Sequence, residues 1–426
     1  MVSLWFILTG VLLVLMAVAG SAMERLPVST ALIYLLIGLA LGPSGLGLVT
    51  LDPASNAGEL RIFCEVAVLV SLFTVGLKLR VSPTDRLLRL PLRLATISMV
   101  VVVACVAAIG YWALHMPLGA AVLLGAILSP TDPVLASDVQ VRHADDRERS
   151  RFALTAEGGI NDGTAAPFVV LGLGLLNIKD LGSYGLHWVA VDIVWAIAAG
   201  LMIGWAAGKV VARIVLFVRR EFKEAVGWEE FLALGLLALS YGLALLVHGN
   251  GFLAVLAAGL AMRRVETESA EERSATLGTV AKSEEKTHPA TAPTHLVRTV
   301  LGSNERFERI GELIVVLALG ASLSTIHINQ GGIWIALALF LAIRPLSVVI
   351  GLAGMRYTGR ELRLMSWFGI RGIGSVFYLM YAIEAGLPAD LVQRFVSIVF
   401  TVVAASIALH GVSATPLMNV ARMRKR

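Results

Sequence analysis

The chain has 426 residues, of which 57% are hydrophobic and only 15% charged, against roughly 25% charged in a soluble globular protein. That composition excludes an ordinary soluble domain. The net charge of +5 falls in alternate loops, which makes it a topology signal and excludes nucleic acid as a partner.

Apolar runs long enough to cross a hydrocarbon core recur from end to end, and about thirteen spans are expected. In chain order they lie near residues 4–21, 28–43, 62–79, 93–114, 117–139, 151–177, 187–209, 229–247, 250–263, 306–325, 331–353, 364–384 and 393–415. The first run lacks a basic leading region, and Glu24-Arg25-Leu26-Pro27 is a poor cleavage site, so it reads as a retained span. Cys64 and Cys105 give neither a disulfide framework nor a metal spacing.

Basic residues cluster in the loops after the third, fifth, seventh, ninth and eleventh spans. Examples are Arg80, Arg86 and Arg89, then Arg147 and Arg149, then Arg219 and Arg220, then Arg356 and Arg360. The loops on the other side carry only Arg61, Lys179 and Arg394. The positive-inside rule then puts the C-terminus in the cytoplasm and, with an odd number of spans, the N-terminus outside. The chain reads as one transmembrane domain, residues 1–426. The Glu/Ser/Thr/Ala-rich segment 264–300 is expected to be a mobile cytoplasmic loop within it.

Two spans are poor helices. The fifth holds Ser129-Pro130-Thr131-Asp132-Pro133, and the twelfth holds Gly369-Ile370-Arg371-Gly372-Ile373-Gly374-Ser375. Prolines and clustered glycines break helix interiors. The two spans stand seven apart, as do the similar third and tenth, which is the mark of an inverted repeat. Paired interrupted helices of that kind point to a midplane binding site.

Ionisable groups inside a membrane are costly and face a pathway or a partner. Asp132 lies in the first break, where the bared carbonyls of Ser129 and Thr131 can replace the hydration shell of a hard cation. Asp162 follows Asn161 near the middle of the sixth span. Burial and a nearby second carboxylate each make the charged form harder to hold, so protons and cations compete for the same oxygens. One site that takes either ligand but not both gives obligatory exchange. The bland alternative for each aspartate is a helix cap or a structural hydrogen bond. Arg344 needs a counter-charge that Glu157 can supply, joining the sixth and eleventh spans. Arg371 can offset the carboxylates or the exposed carbonyl ends of half-helices. Glu65 reads either as a supporting residue or as a solvated helix end. Glu312 and Glu384, near span ends, are expected at the interface.

Ser129-Pro-Thr-Asp-Pro133 followed by Glu157-Gly-Gly-Ile-Asn-Asp162 resembles the NhaP/NHE-type cation:proton antiporters, and the likeness extends to Arg344-Pro345 and the glycine-rich break. The resemblance implies an all-α membrane fold with two crossed interrupted helices, the NhaA-like antiporter fold. It also implies a homodimer in the inner membrane that works by elevator-like movement. It makes Asp162 the main ion- and proton-binding carboxylate, assisted by Asp132 and the Thr131 backbone and steadied by Asn161, with Glu157 paired to Arg344. Relatives with Asn before the Asp exchange one cation for one proton. Sodium is the first expectation for the cation, with lithium as an alternative; many relatives carry Ser where this chain has Gly158, and the loss of that ligand leaves potassium open as well. No cofactor is implied, and the short stretch after the last span is expected to leave no regulatory tail. An intramembrane aspartyl protease would need a different pattern around its aspartates, and a cation channel lacks here the repeated carbonyl filter.

Overall fold

The computed structural model describes residues 28–81, 85–136, 148–222, 229–276, 292–326 and 330–423, with isolated positions before residue 27. The first expected span, 4–21, lies largely outside the described residues. Among those described, the chain is helical and has no strand. The helices are α1 (Thr30–Leu41), α2 (Ala57–Lys78), α3 (Arg86–Ala113), α4 (Leu118–Leu128) and α5 (Arg149–Leu175). Next come α6 (Trp188–Trp195 running into Ala196–Phe222), α7 (Glu229–Leu246), α8 (Gly251–Thr276) and α9 (Ala292–Ser322). The last are α10 (Gln330–Gly351), α11 (Gly359–Trp367), α12 (Ile373–Glu384) and α13 (Ala389–Met423). Every span expected beyond residue 28 thus has a helical counterpart, the twelfth being divided into α11 and α12.

Local chemistry sets the helix ends. Ser29 caps α1 by accepting from Leu32 N–H at 3.3 Å. Thr358 and Glu361 form a reciprocal capping box at the start of α11. α4 stops at Leu128, with Ser129 still at helical dihedrals, because Pro130 has no N–H to continue the ladder.

Burial divides the helices. α2 is buried along most of its length, whereas α6 and α10 expose Val194, Trp195, Met202, Ile214, Trp334, Leu341 and Val349. Apolar belts of that size are what lipid tails or another subunit cover. α6 and α8 meet through a small-residue stripe, with Gly200, Gly204 and Gly208 against the backbone of Asn250, Ala254 and Ala258.

The polar segment 264–300 is more ordered at its ends than its composition suggested. α8 runs on to Thr276 and α9 begins at Ala292, leaving 277–291 outside the described residues. The reason is local: Ala, Glu and Arg are strong helix formers, and Arg264 Nε reaches Glu268 Oε1 at 2.6 Å one turn on.

Candidate functional site

The breaks after α4 and between α11 and α12 cross each other, and their backbones pair there. Asp132 N–H donates to the carbonyl of Ile370 at 2.8 Å. The Asp132 side chain completes the joint. Its Oδ1 accepts from Val134 N–H at 2.8 Å and Leu135 N–H at 3.3 Å, and its Oδ2 accepts from Ile373 N–H. Ile373 is the first residue of α12, so this carboxylate caps a half-helix where unpaired N–H groups and the helix dipole favour negative charge.

α5 brings the second carboxylate to the same place. Asn161 Nδ2 donates to Thr131 Oγ1 at 2.6 Å, tying α5 to the first break. Asp162 is 1% exposed, yet neither of its carboxylate oxygens has a hydrogen-bond partner. Asn161 Oδ1 and Ser375 Oγ are also buried and unpartnered. Oxygens left this way inside a protein cost free energy unless a proton, a cation or water satisfies them.

Close approach explains several small residues. A Cβ on Gly158 would stand 3.3 Å from Pro133 Cβ, so glycine lets α5 lie against the proline turn. Gly372 sits directly against Asp132 Oδ2 and Gly374 against Asp162 Oδ1. Pro167 lacks the N–H that would serve the carbonyl of Gly163 four residues earlier. Asn250, at the start of α8, supplies the missing donor, with Nδ2 2.7 Å from that oxygen. The carbonyl of Asp162 itself accepts from the Tyr378 hydroxyl.

Arg344 and Glu157 form a bidentate pair at 2.5 and 2.8 Å, exposed by only 3% and 2%. The same guanidinium reaches the carbonyls of Met365 at 3.1 Å and Phe368 at 3.4 Å. It therefore fastens α5 and α10 to the end of α11, and the fork geometry suits the double contact. Arg371 is fully buried; its backbone N–H donates to Ser406 Oγ at 2.8 Å, and its guanidinium has no hydrogen-bond partner.

Three side chains stand apart from this group. The Ser129 hydroxyl turns back to the carbonyl of Ala126 at 3.0 Å. Glu65 belongs to a separate network with Arg61 at 2.7 Å and the Tyr241 hydroxyl, and Arg61 also pairs with Glu384. Glu312 is 6% exposed and accepts from Thr30 Oγ1 at 3.2 Å, which corrects its expected place at the interface. Its position on α9 faces α1 rather than water. Sequence reasoning gave no role to Ser375, Tyr378 or Asn250. The glycine next to Ser375 and the proline four residues after Gly163 were the available signals.

A cavity of about 380 Å³ opens beside the site, on the side away from the basic loops. Lys179, Tyr241, Tyr381 and Phe252 line it, as do Tyr378 and Asn250, which donate to the carbonyls of Asp162 and Gly163 respectively.

The model of the family described as "Sodium/hydrogen exchanger, transmembrane" matches residues 11–420. The chain is 24% identical over 420 residues to a K(+)/H(+) antiporter NhaP of Alkalimonas amylolytica, covering 98% of this chain and 66% of that protein. It thus spans about two thirds of the length of such relatives. It is 25% identical over 429 residues to a Na(+)/H(+) antiporter NhaH of Halobacillus dabanensis, covering 96% of each. The solved structure of the sodium proton antiporter MjNhaP1 from Methanocaldococcus jannaschii at pH 8 superposes with a TM-score of 0.70. It is 20% identical and covers 94% of this chain and 97% of that one. The chain belongs to the sodium/hydrogen exchanger family.

Proposed function

We propose that this membrane protein exchanges one monovalent alkali cation for one proton by alternating access, with Asp162 as the group that carries either ligand. The observation that carries the reading is the Asp162 carboxylate, buried with both oxygens unpartnered. A bare charge there would cost several kcal/mol. A proton neutralises it and a cation pairs with it, and each excludes the other. The lone pairs of Asn161 Oδ1 and Ser375 Oγ extend the same oxygen set, which is the chemistry a hard cation prefers.

Asp132 and Thr131 have a different part. The Asp132 carboxylate is occupied by three backbone N–H groups and holds the two breaks in register, while Thr131 holds Asn161. The Glu157–Arg344 pair supports the site without joining it. The cavity lined by Lys179 and Tyr381 is the approach from outside. The basic loops face the cytoplasm, with the N-terminus outside, the C-terminus inside, and the chain in the inner membrane as a homodimer. The exposed apolar faces of α6 and α10 are available to lipid and to the second copy.

Sodium is the first reading for the cargo. Potassium is the second, because Gly158 offers no hydroxyl and Pro133 fills the space where one would stand. Flux in everted vesicles tests both. Cation addition collapses an imposed proton gradient with the wild type and does not with Asp162→Asn; full exchange by Asp162→Asn overturns the reading. Equal responses to Na⁺ and K⁺ overturn the sodium preference.

A further inference from the structure

The side of the basic loops carries a group of arginines that the exchange chemistry does not use. It forms where the first turns of α3 and α5 meet the turn between α10 and α11. Arg93 Nη1 donates to the carbonyl of Ala353 at 2.9 Å, and Arg149 Nη2 donates to that of Arg356 at 3.3 Å. Glu148, just ahead of α5, lies 3.5 Å from Arg151 and 3.6 Å from Arg360. Glu361 stands 3.9 Å from Arg149. Among the described residues these contacts join five arginines to two glutamates. One apolar cluster with Leu90, Leu154, Leu352 and Leu364 packs the same four elements together.

The two glutamates do not use up the positive charge. Their contacts with Arg149, Arg151 and Arg360 are all longer than a strong hydrogen bond. The Glu361 carboxylate is also engaged elsewhere, because its Oε2 accepts from Thr358 N–H at 2.7 Å in the capping box of α11. Arg360 Nε is buried with no hydrogen-bond partner. A guanidinium presents a planar fork of donors that matches a phosphate, so a surplus of forks on one face suits an anion of that shape.

What lies beside the arginines narrows the anion further. Leu92 and Val100 on α3, and Leu346, Val349 and Ile350 on α10, are exposed. The two helices touch through Ser98 Oγ and Ser347 Oγ at 2.8 Å, so their apolar faces adjoin. The turn that meets Arg93 and Arg149 begins directly after α10. A free phosphate has no use for such an apolar surface. A phospholipid uses both parts, its headgroup on the guanidiniums and its acyl chains on the two helices.

We propose that this cluster binds a phospholipid with an anionic headgroup, the phosphate held by Arg93, Arg149 and Arg360 and the chains lying on α3 and α10. The headgroup ties the start of α5 to the start of α11. α5 carries Asn161 and Asp162, and α11 leads into the second break. The lipid therefore braces two of the elements that meet at the exchange site.

The test is thermal unfolding of the full chain in mild detergent, with dioleoyl phosphatidylglycerol or dioleoyl phosphatidylcholine added to the micelles. Expected is a midpoint raised by about 3 °C or more with phosphatidylglycerol and by less than about 1 °C with phosphatidylcholine. Equal shifts with the two lipids overturn the proposal, and that comparison needs no variant. Arg149→Gln/Arg360→Gln should lose most of the phosphatidylglycerol shift. Lys209→Gln/Arg213→Gln, which removes the same charge from α6, should keep it. A full shift in the first variant, or equal losses in both, places the attraction elsewhere and overturns the site. Glycerol 3-phosphate reproducing the shift shows a free-anion site and overturns the lipid assignment. None of these readouts involves exchange, so the antiport reading stands or falls separately.

Discussion

Gly374 and Asp162 touch where α12 passes α5, and a side-chain carbon on that glycine would stand 2.5 Å from Asp162 Oδ1. The neighbour is a carboxylate oxygen with no other partner, so the space beside it is the space a bound ion would share. Gly374→Ala should therefore lower the apparent cation affinity by about tenfold, equivalent to ~1.4 kcal/mol, with thermal stability changed little. Concentration dependence of exchange in vesicles, alongside a thermal unfolding curve, separates the two. Unaltered affinity would mean that the oxygens are used from another side.

The Glu157–Arg344 pair should behave as a buried ion pair does. Glu157→Gln leaves a guanidinium unneutralised at 3% exposure, and a loss of about 3–5 kcal/mol is expected. Replacing both residues with apolar side chains of similar volume should recover much of that loss. Thermal unfolding in detergent of the single and double variants gives the coupling, and equal losses in both would show that the charges do not act together.

Asn250 and Pro167 make a second pair whose interaction can be isolated. Asn250→Leu strands the Gly163 carbonyl and should cost about 1–3 kcal/mol. Pro167→Ala restores an N–H to the helix at the position that serves that carbonyl. In a Pro167→Ala background the Asn250→Leu penalty should shrink markedly, measured as the shift in unfolding midpoint across the cycle.

Glu266 gives a pH dependence of stability with a definite sign. It lies past Arg263 and Arg264, beyond the membrane-spanning part of α8. Burial pushes its carboxyl from 4.5 up to about 7, and Arg263, 2.8 Å away, offsets this only in part. A carboxyl whose folded value is raised contributes stability that is fully present below the unfolded value and is lost as pH rises through the folded value. The wild type should therefore lose stability relative to Glu266→Gln between about pH 5 and about pH 8. Parallel unfolding midpoints across that window would refute the burial argument.

The fold was largely legible in the sequence because its signals are local. Apolar length marks a span, and Pro130, Pro133 and the glycines from Gly369 to Gly374 mark where two spans cannot stay helical. The need of Arg344 for a counter-charge could be read the same way, since a lone charge in a membrane is expensive. What escaped notice depends on contacts between distant residues. Asn250 serves a carbonyl 87 positions away, and nothing around it in the chain announces that. Glu312 near a span end looks interfacial until α1 is seen to cover it. The continuation of α8 to Thr276 was hidden by a composition that suits a linker and a solvated helix equally well.

The three N–H groups that occupy Asp132 have a consequence for energetics across the membrane. In the exchange proposed above, Asp132 keeps these three bonds while Asp162, whose oxygens have no hydrogen-bond partner, changes ligands. Only Asp162 is left to change partners, one monovalent charge for another. The proposed one-for-one cycle would move no net current, and the cation gradient it sustained would follow the pH difference between the two compartments and not the voltage across the membrane. A potassium–valinomycin diffusion potential imposed on vesicles should then leave the rate of sodium-driven exchange unchanged.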